Sequence, residues 1–231
     1  MSNMESDGTA VETFDAVLFD IDGTLCEYNR GTAEMLSAAF DRAGVEPFFS
    51  AQEYVARYES FIDESQDVDD HRERCFGSIA REKDRDPALG TAVAEAYAAE
   101  RDHSNVRWLD GAAEVLEHLT GEYRLAAVTN GGAEMQSQKL DSLGVDCFET
   151  VVHAGYDTAA KPDSEPFEVA LEAVGVSPSR ALYVGNSLEA DVAGAQGAGL
   201  RVAWVSDGET SDPVPAPDYV LNSPGDLLEL L

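Results

Sequence analysis

The chain of 231 residues carries 45 acidic side chains against 15 lysines and arginines, a formal net charge of −30. This charge repels nucleic acid and anionic membranes, so we expect neither as a partner. Hydrophobic residues make up 44% of the chain, enough for one large domain or for a core with an insertion.

The acidic residues are spread along the chain, and the only lysines are Lys83, Lys139 and Lys161. This pattern is typical of a halophilic protein, which stays soluble at high salt because screening removes most of the self-repulsion. The alternative is an acidic protein from a low-salt cell. In either case an anion site must concentrate positive potential locally.

The three cysteines, Cys26, Cys75 and Cys147, are widely spaced and contain no CxxC pair, which argues against a disulfide framework or a zinc site. Residues 1–12 have neither the basic nor the apolar region of a secretion signal. No apolar run approaches the roughly 20 residues of a membrane span. We therefore expect a cytoplasmic protein with a flexible acidic tail at residues 1–13.

Short apolar runs alternate with segments of helical periodicity. The first run, residues 14–20, ends in Asp20, as expected for a buried strand with a side chain presented at its carboxyl end. Further strands are predicted at 123–129, 150–153, 181–184, 201–205 and 218–221, and helices at 111–120, 133–144, 164–175, 187–198 and the carboxyl terminus. The alternation predicts an α/β fold with a doubly wound, Rossmann-like parallel sheet, in which ligands bind beyond the carboxyl ends of the strands.

Residues 27–103 interrupt the alternation and contain no convincing strand. They instead predict four helices, at 30–44, 51–64, 68–84 and 87–102. An all-helical block inserted after the first strand predicts a cap domain at 27–103 and a catalytic core formed by 14–26 and 104–231.

The segment 20–25, DIDGTL, directly follows the first predicted strand. Two carboxylates so placed suit two tasks, nucleophilic attack by one and general acid–base catalysis by the other. Gly23 allows a tight turn that brings backbone N–H groups toward an anion. The alternative is a capped turn without a chemical role.

Two further loops carry groups suited to a phosphoryl group. Thr129, Asn130 and Gly131 offer a hydroxyl and loop amides, although Asn-Gly is also a plain turn. Lys161, in a loop after a predicted strand, can neutralise a transferring phosphoryl group beside carboxylates. Because lysine is scarce in this chain, we favour this role over a solvated surface lysine.

The segment 185–191, GNSLEAD, also follows a predicted strand. The side-chain oxygens of Asn186 and Asp191 suit a hard cation such as Mg²⁺. The alternative is that Asn186 or Ser187 caps the next helix.

Together these four segments, in this order on successive strand ends, resemble the haloacid dehalogenase-like (HAD) hydrolase superfamily. The resemblance extends from Phe14 to Leu231, and the helical block is similar to the subclass I (C1) cap. The sequences of segments 128–131 and 182–191 are similar to those of the nucleotidase and N-acylneuraminate-9-phosphatase branch. The resemblance implies a Mg²⁺-dependent phosphoric monoester hydrolase that acts on small phosphorylated metabolites.

By resemblance, Asp20 is the nucleophile that forms an aspartyl-phosphate, and Asp22 protonates the leaving oxygen and then activates water. Lys161 pairs with Asp20 and the phosphate. The residues expected to bind the phosphoryl group are Thr129, Asn130, Gly131 and Lys161.

The resemblance also implies a Mg²⁺ site formed by Asp20, the backbone carbonyl of Asp22, residue 186 and, through water, Asp191. The family usually has Asp at position 186, whereas this chain has Asn. An amide oxygen can still bind Mg²⁺ but brings one less negative charge, so we expect weaker metal binding or tolerance of another divalent ion.

By resemblance, the cap closes over the crevice and selects the leaving group. Tyr28 and Asn29, beside the nucleophile loop, are candidate substrate contacts. Arg57 and Arg74 fit better as partners of neighbouring acids, and His71 fits better as a surface residue. The sequence specifies neither the substrate nor the oligomeric state.

Three alternatives stay open. A phosphate-transferring mutase resembling β-phosphoglucomutase differs only in the acceptor of the phosphoryl group. A 2-haloacid dehalogenase needs no acid for an alkoxide leaving group, so Asp22 argues against it. A non-catalytic binding module needs no nucleophile, so the pair of Asp20 and Asp22 argues against it too.

Overall fold

The computed structural model describes residues 13–58, 61, 68–206 and 208–231. The chain divides into two compact units, one with the described residues up to Glu27 and Val106–Leu231, the other with Tyr28–Asn105. The cap boundaries predicted from sequence, 27 and 103, differ from the second unit by one and two residues. Residues 1–12 of the predicted tail lie outside the described residues.

Eight strands occur in the described part of the chain: β1 (Ala16–Phe19), β2 (Cys26–Tyr28), β3 (Val106–Trp108), β4 (Arg124–Thr129), β5 (Thr150–His153), β6 (Ala181–Gly185), β7 (Arg201–Val205) and β8 (Tyr219–Leu221). Six of them form one sheet in the order β5-β4-β1-β6-β7-β8. Every neighbouring pair in this sheet is parallel, which confirms the predicted fold class.

The helices of the first unit are α5 (Ala112–Leu119), α6 (Ala133–Leu143), α7 (Glu165–Val174), α8 (Gly194–Gly197) and α9 (Leu227–Leu230). Successive side chains of β1 point to opposite faces of the sheet. Ala16 and Leu18 pack in one apolar cluster with α7 and α8. Val17 and Phe19 pack in another with α5 and α9. Both faces of the sheet are therefore covered by helices.

The second unit contains four helices: α1 (Thr32–Ala43), α2 (Ala51–Tyr58), α3 (Val68–Glu82) and α4 (Pro87–Glu100). Its apolar core draws on all four. The ring of Phe76 lies at its centre, with centroids 4.8 Å from both Phe49 and Tyr54. The predicted helix at 51–64 matches α2 up to residue 58, and most of its remainder lies outside the described residues.

Two sequence-based expectations are wrong. The expected absence of strands from 27–103 fails at residues 27 and 28, which belong to β2. Strands β2 and β3 have three residues each and pair with one another in a separate sheet, so neither shows a long apolar run. The helix predicted at 187–198 is divided into a π-helical turn, Leu188–Ala193, and the short α8.

A search of the helices in the described ranges finds none that is long and apolar enough to cross a membrane.

Close packing of α3 and α4 depends on Gly90. A Cβ atom at this position would lie 2.5 Å from the carbonyl carbon of Phe76 and 2.7 Å from the amide nitrogen of Gly77. We expect Gly90→Ala to lower the free energy of unfolding by about 1–3 kcal/mol, because backbone atoms of α3 must move, although Ala is the better helix former.

The matched control is Gly197→Ala in α8, where an added Cβ meets nothing within 4 Å. It should preserve stability or raise it by up to about 1 kcal/mol. Urea denaturation of both variants measures the difference. A midpoint for Gly90→Ala at or above that of the unmodified protein would contradict the packing argument.

Candidate active site

Three adjacent strands of the sheet end in predicted site residues. Asp20 follows β1, Thr129 ends β4, and Asn186 follows β6. Strand β1 lies between β4 and β6, with Phe19 in register with Ala127 on one side and with Val184 on the other. The parallel arrangement therefore brings these side chains to one edge of the sheet, as predicted.

Lys161, in the loop between β5 and α7, lies at the centre of a buried charge cluster. Its Nζ donates to Asp20 Oδ1 at 2.8 Å and to Asp191 Oδ1 at 2.7 Å. It also donates to the carbonyl oxygen of Val128 at 2.9 Å. Only 3% of the Lys161 side chain is exposed, against 9% for Asp20 and 1% for Asp191. One ammonium thus compensates two carboxylates, whose burial without a counterion would carry a large desolvation free energy.

Tyr183 belongs to this cluster and is a site residue that the sequence analysis missed. It is fully buried on β6, and its hydroxyl donates to Asp191 Oδ1 at 3.0 Å and accepts from Lys161 Nζ at 3.0 Å. Its neighbours on the strand are apolar, so no sequence signal distinguishes it from a core residue.

Four protein groups donate to the carboxylate oxygens of Asp191. Besides Lys161 and Tyr183, the backbone N–H groups of Asn186 and Ser187 donate to Oδ2 at 3.1 and 2.9 Å. Asp191 therefore fixes the loop after β6, and direct metal coordination would require one of these bonds to break. The predicted contact of Asp191 with the metal through water stays a prediction.

Burial controls the protonation equilibria of the cluster. Burial raises the pKa of Asp20 to about 7; Lys161 opposes this shift and Asp191 adds to it. Burial alone would lower the pKa of Lys161, but the carboxylates of Asp20 and Asp191 outweigh burial and raise it above its ordinary value. Lys161 therefore stays an ammonium at neutral pH.

Asp22 has a separate set of contacts, which the sequence analysis also missed. Lys139 Nζ lies 2.5 Å from its Oδ1, and Gln136 Nε2 donates to its Oδ2 at 2.7 Å. The same amide donates to Thr129 Oγ1 at 2.9 Å. Gln136 and Lys139 are one helical turn apart on α6. The scarcity of lysine that singles out Lys161 would have singled out Lys139 as well.

The turn after β1 brings the nucleophile loop near Asn186. Gly23 adopts φ +76°, a conformation that glycine adopts without strain, as the turn prediction requires. Thr24 Oγ1 lies 3.5 Å from both Asp20 Oδ2 and Asn186 Oδ1. Thr24 therefore contacts both the nucleophile candidate and the predicted metal ligand at position 186. Ser187, not Asn186, caps the following turn by accepting from the Ala190 N–H.

Asn130 contacts the backbone of Lys161. Its Oδ1 accepts from the Lys161 N–H at 2.9 Å, and its Nδ2 donates to the Lys161 carbonyl at 3.2 Å. This pair of bonds holds the Lys161 loop in place. The predicted phosphoryl contacts of Asn130 and Gly131 stay predictions.

The candidate substrate contacts of the second unit have hydrogen-bond or ion-pair partners within that unit. Tyr28 Oη lies 2.7 Å from His103 Nδ1, and Asn29 donates to Asn105. Arg74 pairs with Asp70, one helical turn away, as expected, whereas Arg57 pairs with Glu82 of α3 and not with an acid of its own helix. The surface position expected for His71 is wrong: the residue is 4% exposed, with Nε2 3.5 Å from the Sγ atom of Cys75.

Removal of the central ammonium should destabilise the fold. We expect Lys161→Met to cost about 3–5 kcal/mol, because it leaves two carboxylates buried without a counterion. The control is Lys83→Met, which removes a partly exposed pair with Glu53 and should cost at most about 1 kcal/mol. Denaturation of both variants near neutral pH with a metal chelator provides the comparison. Equal losses would contradict the assigned role of Lys161.

Known proteins resemble this chain in sequence. A family model described as haloacid dehalogenase-like hydrolase matches residues 14–199. Phosphoserine phosphatase from Thermus thermophilus is 35% identical over 161 residues, 69% of this chain but only 63% of that protein. Glyceraldehyde 3-phosphate phosphatase from Methanopyrus kandleri is 29% identical over 227 residues, 94% of this chain and 96% of that protein.

A solved structure shows the same fold. The HAD-hydrolase YfnB from Bacillus subtilis, described as bound to magnesium, gives a TM-score of 0.76 at 24% identity and covers 95% of this chain and 99% of that chain. The family model spans more than half of the chain, and the acidic loop after β1, Thr129 and Lys161 lie at neighbouring strand ends. The chain belongs to the haloacid dehalogenase-like hydrolase family.

Proposed function

We propose that this protein is a phosphoric monoester hydrolase that cleaves small phosphorylated metabolites through an aspartyl-phosphate on Asp20. The observation that carries the proposal is the buried Asp20 carboxylate, held through Oδ1 by Lys161 at the carboxyl end of the central strand. Its Oδ2 has only the weak 3.5 Å contact with Thr24 among the described residues, so this oxygen is available to attack. Relatives named as phosphatases along nearly the whole chain support the same reaction class.

The donor atoms at the site fit Mg²⁺. The carboxylate oxygen of Asp20 that does not attack, Asn186 Oδ1 and the backbone carbonyl of Asp22 would be three hard oxygen ligands; Thr24 Oγ1 lies 3.5 Å from both Asp20 and Asn186. Among the described residues no three His, Cys, Asp or Glu side chains converge on one metal position, so amide and backbone oxygens must contribute. Bound Mg²⁺ would neutralise charge on the phosphoryl oxygens.

In the first step, an Asp20 oxygen attacks phosphorus, and the bond between phosphorus and the ester oxygen breaks. Lys161 holds the Asp20 carboxylate in place and adds positive charge beside the phosphoryl group. Thr129 Oγ1 already accepts from Gln136 and from the Gly131 N–H, so its own proton is directed elsewhere and can be donated to a phosphoryl oxygen. Asp22 gives its proton to the departing oxygen.

In the second step, water attacks the phosphorus of the aspartyl-phosphate, and the bond to Asp20 breaks. Asp22, now ionised, accepts a proton from the water. Inorganic phosphate leaves, and the Asp20 carboxylate is restored. A mutase would use a sugar hydroxyl in place of this water.

The direct test is turnover of p-nitrophenyl phosphate with Mg²⁺ in high salt. We expect release of phosphate by the unmodified protein and a loss of at least about 10³-fold in kcat for Asp20→Asn, because an amide is a poor nucleophile. Arg107→Gln, which removes only an exposed pair with Glu27, should keep full activity.

No turnover by any of the three proteins would instead support a binding module, and release of halide from 2-haloacids would support a dehalogenase. A panel of phosphorylated metabolites with product analysis then separates hydrolysis from transfer.

A second prediction concerns the departure from the family at position 186. Asn186→Asp should bind Mg²⁺ about tenfold more tightly, because it adds a carboxylate to the proposed ligands. Isothermal titration calorimetry and the Mg²⁺-induced shift in Tm both measure this without any substrate. Asn105→Asp, at a residue outside the proposed ligands whose Oδ1 accepts from Asn29, makes the same charge change and should bind Mg²⁺ with nearly unchanged affinity. Unchanged or weaker binding by Asn186→Asp would remove position 186 from the metal site.

A further inference from the structure

Two side chains of α6 contact the carboxyl group of Asp22, one at each of its oxygens. Lys139 Nζ is 2.5 Å from Oδ1, and Gln136 Nε2 is 2.7 Å from Oδ2. Gln136 is fully buried and Lys139 is 1% exposed, whereas 43% of the Asp22 side chain is exposed. Asp22 would therefore be free to turn into solvent if these two contacts were absent.

The position of the Gln136 side chain requires glycine at position 131. A Cβ atom at Gly131 would lie 2.1 Å from Gln136 Nε2, so a side chain at 131 would displace the amide. From this position one amide group donates both to Asp22 and to Thr129 Oγ1. The same amide group therefore orients both Asp22 and Thr129, which is expected to bind the phosphoryl group.

The burial of Lys139 also needs an explanation. Lysine is rarely buried without compensation, and this chain has only three lysines. One of the partners of Lys139 is the half-exposed carboxylate of Asp22, to which both Lys139 and Gln136 donate. Donors at both oxygens fix the direction in which the Asp22 carboxyl group points.

We propose that Gln136 and Lys139 are positioning residues that align Asp22 to activate the water that hydrolyses the aspartyl-phosphate. This inference rests on the proposed function, since it assumes a covalent intermediate on Asp20. Both residues act through the carboxyl group of Asp22, which they hold. In the step concerned, water gives a proton to Asp22 as its oxygen bonds to phosphorus and the bond between phosphorus and Asp20 breaks.

Steady-state kinetics with p-nitrophenyl phosphate test the proposal. Nitrophenolate leaves without protonation, so formation of the intermediate does not depend on Asp22 with this substrate, whereas its hydrolysis does. For Lys139→Met and Gln136→Leu we expect kcat and KM to fall together by about tenfold or more, with kcat/KM within about twofold of the unmodified protein. The fraction of phosphorylated protein at steady state, measured by intact mass after acid quench, should rise.

Two controls separate positioning from folding. Lys83→Met makes the same substitution at a distant pair with Glu53 and should leave both kinetic constants unchanged. Lys139→Arg keeps the cation and should recover part of kcat. If kcat falls while KM stays constant and phosphorylated protein does not accumulate, the role of these residues is merely structural and the inference fails. If the unmodified protein has no turnover, the proposed function fails instead.

Discussion

The ammonium of Lys161 is the constraint on which the site depends. It joins the end of β1, the loop before α7 and the segment after β6 through Asp20 and Asp191. These two carboxylates are almost fully buried in a chain that already carries a net charge of −30. Without a buried cation between them, at least one would have to become neutral or move into solvent. The same contact that permits burial also orients the proposed nucleophile.

Lysine, which is scarce in this acidic protein, is concentrated at the candidate site. Of the three lysines, two lie buried beside the carboxylates of the site, Lys161 with Asp20 and Lys139 with Asp22. The arginines of the described chain instead lie mainly in exposed pairs such as Arg124 with Glu149 and Arg180 with Asp15. The two buried lysines are compact cations that contact one oxygen of each carboxylate, whereas most arginines of the described chain pair with acids at the surface.

The sequence predicted the sheet and the strand-end residues because both depend on local patterns. Buried strands appear as apolar runs, and parallel strands bring their carboxyl ends to one edge whatever the side chains are. Gln136 and Lys139 were missed for a different reason: their roles arise from contacts with Asp22, more than 100 positions away. Tyr183 was missed because it lies in an apolar strand, and only its contacts with Asp191 and Lys161 show its role. Strands β2 and β3 were missed because each is short and pairs only with the other. Long-range pairing leaves little trace in a single sequence.

The central claim is that the carboxylate of Asp20 accepts the phosphoryl group. The most direct measurement is to quench the protein during turnover of p-nitrophenyl phosphate, reduce it with borohydride, and sequence its peptides by mass spectrometry. Reduction converts a phosphorylated aspartate to homoserine, so the account predicts homoserine at position 20, dependent on substrate and absent after Asp20→Asn. Turnover without this product, or with the label at another residue, would contradict the account.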